Sequence, residues 1–167
     1  MILRLAKTAL VAASAFFLLL VAFNNVTDYD SNFQFVRHVL SMDTSFPGNK
    51  LMWHALTAEW EHHVFYSTII LWEFTAGGLL ATASWRMWWA RRAPVATWQQ
   101  AKSLATAGLA LSLLQWFTAF LTIGAEWFLM WQSKTWNGQE AAFRMFGIFG
   151  IILIFLHQPE ETTPESR

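Results

Sequence analysis

Four long apolar stretches account for most of this chain, separated by more polar connections. They cover roughly residues 2–23, 63–85, 104–127 and 141–156. Each stretch is close to the ~20 residues that an α-helix needs to cross the hydrocarbon core of a bilayer. Short connections make neighbouring helices antiparallel. The pattern therefore predicts an all-α membrane protein, folded as a four-transmembrane-helix bundle.

Basic residues mark one side of this predicted bundle. Arg4 and Lys7 lie at the start of the first stretch. A second basic group lies in the connection between the second and third stretches: Arg86, Arg91, Arg92 and Lys102. By the positive-inside rule both segments face the cytoplasm. We therefore expect cytoplasmic termini and an extracytoplasmic first connection, with a transmembrane domain over residues 1–158 and a polar cytoplasmic tail over 159–167.

All but two of the eleven tryptophans, Trp72 and Trp116, which lie within spans, fall into two groups that match this topology. One group lies at the predicted outer boundary: Trp53, Trp60, Trp127, Trp131 and Trp136. The other lies at the inner boundary: Trp85, Trp88, Trp89 and Trp98. Indole rings favour the interface between lipid and water. Two belts of this kind are typical of a membrane-spanning bundle.

The first extracytoplasmic connection contains a further helix signal. Ser31 followed by Gln34 matches a capping box. Phe33, Val36 and Leu40 then recur at helical spacing. This predicts a short amphipathic helix over about 32–42, lying on the outer membrane surface with Ser31 as its cap. After a Pro-Gly turn, the next long helix begins either near residue 50 or after a break near residue 59.

Composition restricts the chemistry that the chain can carry. Charged residues make up 13% of the chain and there is no cysteine, whereas globular proteins average roughly 25% charged residues. Disulfides, thiolate metal sites and iron–sulfur clusters on this chain are therefore excluded. The formal net charge is zero. From the apolar spans we expect the lipid bilayer and other membrane protein subunits as partners, and we expect no nucleic acid.

Two segments resemble a known family. They are Asn24-Asn25-Val26-Thr27-Asp28-Tyr29 and, after a short gap, Phe35-Val36-x-His38-Val39-Leu40-Ser41-Met42-Asp43-Thr44. The chain is similar, over nearly its whole length before the polar tail, to the bacterial family known as predicted small integral membrane proteins, whose function is unknown. The resemblance implies an inner-membrane protein with four spans, and it brings no catalytic residue.

Three polar residues lie within the apolar stretches at matching distances from inner markers. Glu73 is thirteen residues from Arg86, Gln115 thirteen from Lys102, and Arg144 thirteen from His157. At ~1.5 Å per residue, all three lie about 20 Å from the inner boundary. An acid, an amide and an arginine at one depth can satisfy one another. We expect an intramembrane polar clasp of Glu73, Gln115 and Arg144, which is either structural or part of a proton, ion or quinone site.

A second polar cluster is expected at the outer edge. Its members are Glu59, Glu61, His62, His63 and Glu126. Glu59 and His62 have the Glu-x-x-His spacing of di-iron bundles, but such bundles need a second pair and two further glutamates. The pair is therefore a weak metal candidate, and we expect no metal. Haem held by two histidines requires them to face each other at one depth, which the spacing here does not provide.

These features favour a protein that acts by association. The chain is small and shows no complete catalytic set, so we expect no catalysis of its own and most simply no cofactor. We predict an accessory or scaffolding subunit of a larger membrane complex. One alternative is a membrane anchor of a redox enzyme that binds quinone or haem. Another is a small transporter or proton pathway, a class that usually carries internal repeats.

Overall fold

The computed structural model describes residues 1–159, and these form helices without any strand. Most of the polar tail predicted at 159–167 lies outside the described residues. Six α-helices run in chain order, the fifth continuing directly into a π-helical segment: α1 (Ile2–Thr27), α2 (Tyr29–Ser41), α3 (Glu59–Ala90), α4 (Val95–Ala101), α5 (Ser103–Leu114), the π segment (Gln115–Trp127) and α6 (Gln139–His157). Two short 3₁₀ turns cover Met52–His54 and Met130–Gln132.

The predicted membrane spans are confirmed. Four helical stretches are long and apolar enough to cross a bilayer: Ile2–Thr27, Glu59–Ala90, Val95–Trp127 and Gln139–His157. We call the end of the bundle that carries α2 and residues 42–58 the loop end. The opposite end, which carries Ile2 and His157, is the terminal end. The helices form a bundle in which α1 packs on α3, α3 on α5, and α5 with the π segment on α6.

The spans pack through small residues. A Cβ atom built on Gly77 of α3 would lie 2.9 Å from the side chain of Leu19 on α1. A Cβ atom built on Gly108 of α5 would lie 2.7 Å from Leu80. Such glycines let helix backbones approach closely, which drives helix association where no hydrophobic effect operates. They bring both α1 and α5 into close contact with α3.

The amphipathic helix is confirmed, but its predicted cap is wrong. Helix α2 begins at Tyr29, next to the end of α1, and Ser31 lies within its first turn. The Ser31 hydroxyl donates a hydrogen bond to Asp28 Oδ2 over 2.7 Å, so it does not cap the helix. Asp28, with φ −122° and ψ 60°, separates the two helices. The buried face of α2 consists of Phe33, Val36, Val39 and Leu40.

Of the two expected starts for the second span, the break near residue 59 is the one observed. Residues 50–58 hold only a short 3₁₀ turn before α3 begins at Glu59. Glu61 Oε2 accepts a hydrogen bond from the Ala58 N–H over 3.3 Å, satisfying one of the free donors at the helix start. This assigns a capping role to one member of the predicted outer cluster.

At the terminal end, two basic side chains support the end of α6. Lys7 Nζ donates to the Gln158 carbonyl over 2.6 Å, and Lys102 Nζ donates to the Leu156 carbonyl over 3.2 Å. Cations at a helix C-terminus satisfy its last carbonyls and oppose its dipole. Trp98 is fully buried beneath the Arg4 guanidinium, 5.1 Å away, so this tryptophan packs inside the bundle and does not belong to the interfacial belt.

Adjacent glycines on α3 provide a matched test of this packing. A Cβ atom at Gly77 meets Leu19, whereas one at Gly78 meets nothing within 4 Å. We expect Gly77→Leu to lower the free energy of unfolding by about 1–3 kcal/mol through overpacking, and Gly78→Leu to leave it nearly unchanged. Thermal unfolding of both variants in detergent measures the difference. Equal melting temperatures would contradict the close contact of α1 with α3.

Candidate functional site

Among residues 1–159 one acid is buried, Glu73, and it lies where α1, α3 and the start of the π segment meet. Its side chain is 2% exposed. Asn25 Nδ2 of α1 donates a hydrogen bond to Glu73 Oε2 over 2.8 Å. Gln115 Nε2 donates a longer one to Glu73 Oε1 over 3.4 Å. Both carboxyl oxygens therefore receive a proton donor from a neighbouring helix, as a buried acid in a membrane requires.

Asn25 connects this acid to the loop end. Asn25 Oδ1 accepts a hydrogen bond from Asn32 Nδ2 of α2 over 2.6 Å. The backbone carbonyl of Asn25 accepts one from the Tyr66 hydroxyl over 3.3 Å. The Glu73 cluster, which we define as Asn25, Asn32, Tyr66, Glu73 and Gln115, therefore ties α1, α2, α3 and the third span together at one level.

The sequence pattern of α1 explains how Asn25 reaches Glu73. The buried residues of α1 recur at steps of three and four: Val11, Ala15, Leu18, Ala22 and Asn25. Asn25 thus continues the stripe that packs on α3. This periodicity was the available signal for Asn25, which was not among the residues predicted to form the site.

The expected contact between Glu73 and Arg144 is absent from the described structure. Arg144 is exposed on α6 and makes no hydrogen bond or ion pair with Glu73. The buried residues of α6 are Ala142, Phe149 and Leu156, seven residues apart. Arg144 is two residues, roughly 200° around an α-helix with 3.6 residues per turn, from that stripe. Counting thirteen residues back from His157 gave the depth of Arg144 along the span. It did not show which face of α6 carries the side chain.

The third span changes its helical form at the site. Gln115–Trp127 forms a π-helix, and the Phe128 N–H donates to the Ile123 carbonyl, five residues earlier, over 3.0 Å. π-helical turns are rare and occur frequently at functional sites. The α-helical half packs on both α3 and α6, whereas the π segment packs on α6. The span therefore diverges from α3 from Gln115 onward.

Two buried polar atoms beside Glu73 have no hydrogen-bond partner within residues 1–159. They are Gln115 Oε1, an acceptor, and Trp116 Nε1, a donor. Gln115 is fully buried and Trp116 is 9% exposed. An unsatisfied buried polar atom costs roughly 1–3 kcal/mol. Buried polar atoms of this kind need a partner such as a water molecule or a bound polar group.

A cavity of about 220 Å³ adjoins the cluster, and we call it the polar chamber. Asn25, Asn32, Tyr66, Glu73 and Trp116 contribute to its wall. Asn32 is exposed at the loop end, so the chamber reaches the surface beneath α2. Most of the chamber's lining is apolar, and these five are the lining residues that carry a polar group in the side chain.

A second cavity of about 320 Å³ lies between α3 and the π segment, and we call it the apolar groove. Its walls include Val64, Phe65, Ile123 and Gly124, and the buried face of α2 covers it. Val64 is 53% exposed and Phe65 38% exposed, so the groove opens on the side of the bundle that faces lipid. Four residues line both cavities: Phe35, Val36, Ile69 and Phe120.

The predicted outer cluster does not assemble into one site. Glu59 Oε1 lies 3.9 Å from His63 Nε2, while His62 Nε2 is within 2.9 Å of the Leu56 carbonyl. Glu126 is exposed. Across the described part of the chain, no three histidine, aspartate or glutamate side chains are grouped so as to hold a metal ion. The Glu59 and His62 side chains therefore serve separate local contacts.

The histidines at the loop end each have another partner. His63 Nδ1 is within 2.8 Å of the Tyr29 hydroxyl, and its ring stacks on Phe33 with centroids 4.2 Å apart. His38 pairs with Asp43, and His54 lies against Trp127. These contacts hold α2 and the loop against α3 and the third span. They do not place two histidines face to face in the way that haem requires.

A double-mutant cycle tests the geometry of the acid. We expect Asn25→Ala and Glu73→Ala to be coupled by about 0.5–3 kcal/mol, because the residues share a buried hydrogen bond. Glu73→Ala and Arg144→Ala should add within roughly 0.3–0.5 kcal/mol, because these residues do not touch. Unfolding in mixed detergent micelles measures both values. Strong coupling of Glu73 to Arg144 would overturn the assignment of Asn25 as the partner.

Comparison with known proteins places the chain in a family. A family model described as predicted small integral membrane protein (DUF2165) matches residues 3–159. No curated protein and no solved structure gives a match. The matched region contains all four spans and the whole Glu73 cluster. This chain therefore belongs to the family of predicted small integral membrane proteins, whose function is not known.

Proposed function

We propose that this membrane protein binds an amphiphilic molecule drawn from the bilayer and performs no reaction of its own. The polar head of the molecule lies beside Glu73, and its apolar part lies in the apolar groove. The observation that carries the proposal is the shared wall of the two cavities at Phe35, Val36, Ile69 and Phe120. Binding sites for small molecules are typically mostly apolar, with a few placed polar groups.

The chemistry of the cluster supports binding over catalysis. Glu73 accepts two hydrogen bonds from amides. Within residues 1–159 no histidine, serine or lysine side chain bonds to it, so no nucleophile and base pair forms there. Of the ligands expected from the sequence, a quinone belongs to the amphiphilic class. Haem has no support, because the histidines at the loop end are engaged elsewhere.

Filling the groove tests this proposal. Ala119 lines the groove on the π segment, whereas Ala13 is exposed on α1. We expect lipids extracted from native membranes to raise the melting temperature of the wild-type protein and of Ala13→Phe, and to leave that of Ala119→Phe unchanged. A ligand at 100 times its Kd stabilises by about 2.7 kcal/mol. An equal response of the two phenylalanine variants would reject the groove as the binding site.

A second candidate function, as an accessory subunit of a larger membrane complex, is supported by α6. Only 17% of its apolar window is buried, against 39% for α1. Arg144 lies on its exposed face together with Ile148 and Ile151. Arginine stays protonated at any accessible pH, and a charge on a lipid-facing helix is costly, by roughly 2.5–3.5 kcal/mol at the bilayer centre. We propose that an acidic residue of another subunit's helix pairs with Arg144.

Removal of that charge tests the accessory role. Arg144→Gln should shift the protein from a large assembly to a smaller species on native gels of mildly solubilised membranes. Arg37→Gln, which changes an exposed arginine on α2, is the control and should leave migration unaltered. Migration of Arg144→Gln with the wild-type assembly would contradict a contact through this face.

The location and orientation expected from the sequence complete the proposal. A bacterial cytoplasmic membrane with the terminal end in the cytoplasm is supported by the basic residues at that end, among them Arg4, Arg91 and Arg92. In this orientation α2 and the polar chamber lie toward the extracytoplasmic side.

A further inference from the structure

Both carboxyl oxygens of Glu73 lie within hydrogen-bonding distance of an amide nitrogen, Asn25 Nδ2 and Gln115 Nε2. Two such donors stabilise an ionised carboxylate, which can only accept hydrogen bonds. Within residues 1–159, no lysine or arginine forms an ion pair with Glu73. A buried negative charge at this depth requires a positive partner or a large desolvation cost.

The walls of the polar chamber suit a positive group. Four aromatic side chains line the chamber together with Glu73: Phe35, Tyr66, Trp116 and Phe120. The face of an aromatic ring attracts ammonium groups, most strongly for tryptophan. A carboxylate among several such rings is a typical environment for binding an amine or a quaternary ammonium group.

Trp116 adds a second requirement. Trp116 lines the chamber, and its buried indole N–H has no acceptor among the described residues. An indole N–H can only donate. A head group that satisfies both Glu73 and Trp116 therefore carries a positive donor close to an acceptor oxygen.

We propose that the bound amphiphile has an ammonium group that pairs with the Glu73 carboxylate, next to an oxygen that accepts a hydrogen bond from Trp116 Nε1. Its apolar chain leaves the polar chamber past Phe35 and Phe120 into the apolar groove. This inference rests on the proposed function and specifies the head group. The same chemistry occurs in a bilayer aminophospholipid and in a free long-chain amine.

Native mass spectrometry of delipidated protein tests the inference with defined probes. Dioleoylphosphatidylethanolamine and dodecylamine carry the ammonium group, and dioleoylphosphatidylglycerol has the same acyl chains as the first without it. We expect binding of one or both amines and at least about tenfold weaker binding of the glycerol lipid. Binding of the phospholipid identifies a bilayer source, and binding of dodecylamine alone identifies a free amine.

Variants distinguish the contribution of the head-group contact to binding from the contribution of the cavity. Glu73→Gln keeps the shape of the side chain and removes its charge, so amine binding should fall at least about tenfold. Glu73→Asp keeps the charge and should retain part of the affinity. Ala119→Phe should abolish binding of all three probes. Unchanged amine binding by folded Glu73→Gln, or equal binding of both phospholipids, would overturn the ammonium group while leaving the proposed binding function standing.

Infrared spectroscopy provides a measurement that does not depend on a variant folding. The wild-type protein is labelled with ¹³C at its glutamate side-chain carboxyl groups. When dodecylamine or phosphatidylethanolamine is added, we expect no band of a protonated carboxyl group to change. A protonated carboxyl band that shifts on binding would place a neutral acid against the head group and reject the ion pair. If no probe binds, and native lipids change the melting temperatures of wild type and Ala119→Phe equally, the proposed function itself is rejected.

Discussion

The buried carboxyl group of Glu73 sets the arrangement of the loop end of the bundle. Within a bilayer no water satisfies such a group, so neighbouring helices have to supply its donors. Asn25 brings the end of α1 to α3, and Gln115 brings the third span to the same level. The bond from Asn32 to Asn25 then fixes α2 across the top of the bundle. Removing one amide would leave its partner unsatisfied, at a cost of roughly 1–3 kcal/mol.

The π segment produces a cavity next to this hydrogen-bonded cluster. The third span packs on α3 up to Leu114 and separates from it after Gln115. The space that results is covered by the apolar face of α2 and is not filled by side chains. At Gly77, by contrast, α1 and α3 are in close contact, because a Cβ atom there would lie 2.9 Å from Leu19. The separation of the third span from α3 therefore accounts for both parts of the site, the polar groups at one end and the apolar walls beyond them.

The sequence predicted the spans from the length of the apolar stretches, and α2 from the helical spacing of its apolar residues. It predicted the contact of Gln115 with Glu73 because the depth of each polar residue can be counted along the chain. It placed Arg144 wrongly beside Glu73, because a count of residues along the chain gives depth but not helical face. It missed Asn25, although the stripe of buried residues on α1 includes that position. The π segment had no signal, since a continuous apolar run has the same hydropathy whether its hydrogen bonds span four residues or five.

The most direct measurement is an experimental density map of the protein in nanodiscs made from its own membranes. We expect elongated density that starts beside Glu73 and Trp116 and continues between α3 and the π segment, with Asn25 in contact with the acid. A third span that packs against α3 along its whole length, with Glu73 paired to Arg144 and no gap beneath α2, would contradict this arrangement.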